Sequence, residues 1–75
     1  MSKSDWLRFY HAVDEFLPDL MERLAHHFGK FTEQQKQVCY LMRIGLTNSQ
    51  IHNMTNLSRA TVWRWVKKYN WVITN

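Results

Sequence analysis

The chain has 75 residues, of which 45% are hydrophobic and 21% charged, and a formal net charge of +4. It is long and apolar enough for one small helical core, and too apolar for a disordered tail. No stretch approaches the roughly 18–20 uninterrupted apolar residues that span a bilayer, and the first residues lack the apolar block of a secretory leader, so a cytoplasmic setting without membrane contact is expected.

Two amphipathic helices are expected in the first third. Trp6, Phe9, Tyr10, Val13 and Phe16 recur at helical spacing, as do Leu20, Met21, Leu24 and Phe28, and most of these side chains belong to a core. Pro18 suits the first turn of the second helix. Gly29 suits a left-handed residue ending that helix, and Thr32 suits the cap of a third. Residues 1–31 carry four basic and five acidic side chains, whereas residues 32–75 carry six basic and one acidic. The positive field therefore belongs to the later part, and residues 1–31 are candidates for support, dimerisation or a regulatory contact. The lone Cys39 cannot form an internal disulfide. Its neighbours Val38, Tyr40 and Leu41 suit a small buried thiol in a reducing compartment.

The most informative stretch is residues 45–69, GLTNSQIHNMTNLSRATVWRWVKKY. Thr47 followed by Gln50 makes a capping box, in which hydroxyl and amide each satisfy an orphan backbone N–H, and Leu46 with Ile51 makes a hydrophobic staple. The grammar repeats eleven positions later at Ser58, with Leu57 and Val62 as staple, although Thr61 stands where a box would have Glu or Gln. Between these starts the chain must reverse within Met54-Thr55-Asn56-Leu57. Asn56 is the residue there that most easily adopts the left-handed conformation, in place of glycine. The expected pattern is a helix over 47–54, a short turn and a second helix over 58–69: a helix-turn-helix.

On a wheel of 100° per residue, Val62, Trp65, Val66 and Tyr69 share one arc and would hold the second helix on its core, while Ala60, Arg64 and Lys67 fall opposite, flanked by Thr61, Trp63 and Lys68. That face has the chemistry of a helix lying in a DNA major groove. Arg64 can donate two bonds to guanine O6 and N7, and Ala60 leaves room for a thymine methyl group. Thr61, Lys68 and the N–H groups near Ser58 suit phosphates. A solvated basic face would have the same composition, but it needs neither two caps nor a short Asn turn.

Residues 32–69 resemble the helix-turn-helix domain of LuxR-type response regulators. The resemblance is carried by Thr32, Glu33, Gly45, Leu46, Thr47, Asn48, Ile51, Leu57, Ser58, Thr61 and Val62. The stretches Pro18-Asp19-Leu20 through Phe31-Thr32 and Cys39-Tyr40-Leu41-Met42-Arg43-Ile44 are similar, more particularly, to the version closing many Bacteroidetes-type sensor-regulators, so the likeness covers roughly residues 16–69. It implies that residues 58–69 read the major groove, with groove positions at Trp63, Arg64 and Lys67, and that phosphate contacts fall near Thr47, Ser58 and Thr61. His52 stands where that family usually has a small Ala, which implies a looser or rotated helix crossing; it is expected as a packing residue rather than a switch. Trp63 stands where the family often has Lys. It is expected against sugar or a base methyl, on a partner protein, or as a partly buried aromatic over the neighbouring helix.

Other chemistries find little support. His26 and His27 point about 100° apart on a helix and cannot converge on one metal without His11 or Cys39. Nothing orients a Cys–His pair, or Glu33 with Asp19, for catalysis, and no Gly-rich phosphate loop is present. The chain is therefore expected to be a non-enzyme with no cofactor, metal or small-molecule substrate. Asn70 is expected to end the reading helix, leaving Trp71-Val72-Ile73 as a short tail that folds back as a core lid or serves as a dimer contact.

The resulting expectation is an all-α single domain of four to five helices, with residues 1–31 as support helices, 32–69 as a LuxR-like helix-turn-helix core and 70–75 as a tail. It would bind double-stranded DNA as part of a transcriptional regulator and act on DNA as a homodimer. Base contacts are assigned to Ala60, Trp63, Arg64 and Lys67, and phosphate contacts to Thr47, Ser58, Thr61 and Lys68. The competing reading is a protein-interaction module that docks on RNA polymerase or another regulator through Trp63 and the Trp71 tail. RNA binding is disfavoured by the lack of an aromatic-rich strand that would stack bases.

Overall fold

One local device starts three of the helices. In the computed structural model, which describes residues 2–74, Ser2 with Asp5, Thr32 with Gln35 and Thr47 with Gln50 each form a complete reciprocal capping box. The helices are α1 (Lys3–Phe16), α2 (Leu20–Phe28), α3 (Glu33–Arg43), α4 (Asn48–Thr55) and α5 (Arg59–Thr74), and no strand occurs among the described residues. The chain is all-α. None of the described helices is long and apolar enough to cross a membrane.

α3 is the central element. Four consecutive residues, Val38, Cys39, Tyr40 and Leu41, are buried, so this helix has neighbours on several sides: α1, α4 and α5 all pack on it, while α2 packs on α5. One apolar core draws on all five helices, through Trp6, Tyr10 and Val13, Leu20 and Leu24, the α3 quartet, Ile51, and Val62, Tyr69, Val72 and Ile73.

Two aromatic clusters complete that core. On one side Tyr10 and Tyr40 meet edge to face at 4.9 Å, and each hydroxyl donates to a carboxylate across the α1–α3 interface: Tyr10 to Glu33 at 2.7 Å and Tyr40 to Asp14 at 2.6 Å. The Lys36 ammonium lies 4.3 Å from the Tyr10 ring centroid. On the other side Phe28 and Phe31 pack on Tyr69, at 4.9 and 5.4 Å between centroids. The Arg23 guanidinium of α2 also donates to the Val72 carbonyl at 2.6 Å, in the last turns of α5, where a cation complements the helix dipole.

Several expectations need correction. Asn70 does not end the reading helix and no separate tail folds back: α5 continues to Thr74. Val72 and Ile73 follow Tyr69 at three and four residues, so they extend the same apolar stripe and are buried, whereas Trp71 is half exposed and rests on His27 and Phe28. Asn75, the last residue of the expected tail, lies outside the described residues. Pro18 precedes the first turn of α2, in a turn capped by Asp19 without a side-chain bond. Phe16 is 84% exposed rather than core: α1 ends there, and the last turn of the helix turns Val13 to the core instead. Gly29 has the positive φ of 76° expected of it, but with ψ at −130° the chain leaves α2 extended rather than left-handed.

The burial pattern sets the expected mutational response. Leu24→Ala, at a fully buried position, should cost about 2–5 kcal/mol in urea unfolding, whereas Phe16→Ala should stay within about 0.5 kcal/mol. Burial pushes the Cys39 thiol up to about 12 from 9.0, and burial, followed by the bonds to Glu33 and Asp14, raises Tyr10 and Tyr40 well above the ordinary tyrosine value. The fold favours the protonated form of all three groups, so this stabilisation is complete below pH 9 and is lost as pH rises from 9 towards 12. Urea midpoints should therefore fall progressively over that window, less steeply in Cys39→Ala.

Candidate nucleic-acid interface

The site is assembled from α4, the turn after it and the outer face of α5. α4 begins at Thr47, whose hydroxyl accepts from the Gln50 N–H at 3.2 Å while the Gln50 amide oxygen accepts from the Thr47 N–H at 2.8 Å. Leu46 packs against the core and Ile51 is fully buried, which satisfies the staple positions. α4 ends at Asn56, in the left-handed conformation with φ 62° and ψ 14°.

Side chains hold the turn at several points. The Thr55 hydroxyl donates to the Ile51 carbonyl at 2.7 Å and lies 3.4 Å from the Leu57 N–H, and the Asn56 N–H donates to the His52 carbonyl at 3.1 Å. His52 Nδ1 meets the Leu57 carbonyl. A carbonyl only accepts, so Nδ1 carries the hydrogen. The imidazole is thus a half-buried strut of the turn. Full burial on the two helices falls instead to Ile51 on α4 and to Val62 and Tyr69 on α5.

α5 starts at Ser58, whose hydroxyl oxygen accepts from the Thr61 N–H at 3.1 Å and donates its hydrogen to the Thr61 hydroxyl at 2.9 Å. Thr61 therefore takes part in the cap without the return bond that a Glu or Gln would make. Its hydroxyl also accepts from Arg64 Nη2 at 3.4 Å, which draws the guanidinium back along the helix. Val62 and Tyr69 are buried and Trp65 and Val66 half-buried, as the wheel requires.

Opposite that core stripe, Ala60, Trp63, Arg64 and Lys67 are all exposed, Trp63 by 56%. Trp63 is thus partly covered and shares a groove with Asn48 of the neighbouring helix. The Lys67 ammonium lies over its ring, 4.9 Å from the centroid. Asn48 of α4 and Arg59, Ala60, Trp63 and Arg64 of α5 line one open groove of about 640 Å³. Three of the four residues assigned to bases thus share a groove, with Lys67 one turn beyond.

The residues assigned to phosphates are less concentrated. Thr47 and Ser58 sit at the two helix starts and Thr61 one turn into α5. The Lys68 ammonium lies 5.8 Å from the Phe28 centroid and 5.4 Å from that of Tyr69, on the flank towards α2 rather than beside the caps. Two groove residues were not assigned to a DNA contact from sequence. Arg59 donates to the Ser49 hydroxyl at 3.3 Å, fastening the start of α5 to the first turn of α4, and Asn48 faces it from that turn. The only cue in the chain was their place one residue after each cap.

Electrostatically the site is one-signed: no Asp or Glu occurs after Glu33, and Glu33 itself is engaged by Tyr10. No group of three or more metal-ligating side chains occurs among the described residues. No family model matches this chain, and neither a curated protein nor a solved structure matches it.

The left-handed residue provides a direct check on how the turn is built. Asn56→Gly should leave stability within a few tenths of a kcal/mol, while Asn56→Val should lose about 1–2 kcal/mol in chemical unfolding, because a branched side chain resists positive φ.

Proposed function

We propose that this chain is a DNA-binding domain of a transcriptional regulator, of the LuxR-like helix-turn-helix kind, with α5 as the helix that reads the major groove. The observation that carries this reading is the outer face of α5. Arg59, Ala60, Trp63, Arg64 and Lys67 are exposed there, with no carboxylate after Glu33 to oppose a phosphate backbone. The helix is about 24 Å long by its 16 residues, enough to lie in a groove while its inner face remains in the core.

In this mechanism the positive half of the chain is drawn to the duplex, and the N–H groups and hydroxyls at Thr47, Ser58 and Thr61 meet phosphates together with Arg59. Arg64 and Lys67 then donate to base edges, and Trp63 with Ala60 makes the apolar contact. Lys68 adds attraction from the flank. A homodimer on paired half-sites is part of the proposal, since one helix contacts only a few base pairs. No catalysis is invoked.

The exposure of Trp63 and Trp71 favours a second reading, a surface that docks on RNA polymerase or another regulator. Selection from a random duplex library separates the two. An enriched, repeated half-site supports DNA reading; an unenriched pool, together with charge-reversed Arg64 or Lys67 variants that behave like the parent, supports docking.

Arg64→Ala should cost about 1–3 kcal/mol on the selected site and much less on random duplex. Equal losses on both would remove Arg64 from base reading. Arg59→Ala should weaken binding to all sequences alike and lower the slope of log affinity against log salt by about one.

A further inference from the structure

The groove between α4 and α5 has a composition that phosphate attraction alone does not require. Its apolar part is the Ala60 methyl and the Trp63 indole, one helical turn apart, so the small residue leaves a notch beside the large one. The indole is 56% exposed, and the Lys67 ammonium stands over its ring at 4.9 Å from the centroid. The rim is polar and its charged groups are both cations: Arg59 is tied to Ser49, Arg64 to Thr61, and the neutral Asn48 faces them from α4. The occupant that fits is therefore anionic overall yet presents a small apolar projection between hydrogen-bonding edges.

Duplex DNA presents one such feature in its major groove, the methyl group on pyrimidine C5, which thymine carries and unmodified cytosine lacks. We propose that Ala60 and Trp63 form a receptor for a pyrimidine 5-methyl group, on thymine or 5-methylcytosine, with Arg64 beside the neighbouring base and Arg59 on the backbone. The assignment rests on the DNA-binding reading and adds the chemical group that the groove selects.

The test uses four alternating duplexes as probes: poly(dA-dT), poly(dA-dU), poly(dG-dC) and poly(dG-m5dC). Within each pair the two differ only in the methyl group. Binding is read by fluorescence anisotropy at low and moderate salt. The methylated member of one or both pairs should bind about fourfold more tightly, the effect of burying one methyl group. A preference confined to the dA pair identifies thymine as the source, and one confined to the dG pair identifies 5-methylcytosine. Trp63→Ala and, independently, Ala60→Gln should bring the two members of each pair to the same affinity, and Trp63→Phe should retain part of the preference; both sites are exposed, and helicity by circular dichroism checks the fold. Equal, salt-sensitive affinity for both members of both pairs, or a preference that survives in Trp63→Ala, overturns the methyl receptor and leaves DNA binding standing. Absence of salt-sensitive binding to all four overturns both.

Discussion

Burial of four consecutive residues on α3 is the constraint from which the rest of the molecule follows. A helix with buried residues at 38, 39, 40 and 41 has no single outer stripe in that turn, so partners must close over it from several directions. α1 closes one side, through aromatic edges and two tyrosine–carboxylate bonds, and α4 and α5 close the others, through Ile51, Val62 and Tyr69. The bihelical unit is therefore held by its common contact with α3 as well as by its own turn. The turn sets the angle at which α5 leaves, and α3 supplies the surface on which it lies.

The parts of this fold legible in the sequence are those governed by interactions over three or four residues. The cap at Thr32, the capping box at Thr47, the Ser58 start and the left-handed Asn56 depend on neighbours along the chain, and the structure has them where the pattern puts them. The core stripe of Val62, Trp65, Val66 and Tyr69 is likewise a matter of period. Its continuation through Val72 and Ile73 was equally visible in that period, but the presence of Asn70 suggested an end. Asn is only mildly unfavourable within a helix, and burial of Val72 and Ile73 outweighs that preference.

What was not legible depends on which elements meet. Phe16 keeps helical spacing with Val13 yet faces solvent, because its burial requires a neighbour over the end of α1 and the chain turns away at Leu17. Arg59 and Asn48 join one groove only when α4 and α5 are brought together, which no wheel drawn for a single helix reveals. His52 is a further case. Its place near the contact of the two helices could be read from the sequence, but its bond to the Leu57 carbonyl exists only once the turn has closed.

The exposed column along α5 has a consequence for how such a chain can change. Ala60, Trp63, Arg64 and Lys67 are absent from the apolar core, and their bonds within the protein are side-chain contacts at the surface. Exchanging them leaves the buried face of the same helix intact, so each new combination arises on an unaltered scaffold and folding exerts little selection against it. What this face presents is therefore separable from stability, and its composition can change while the arrangement of helices is retained.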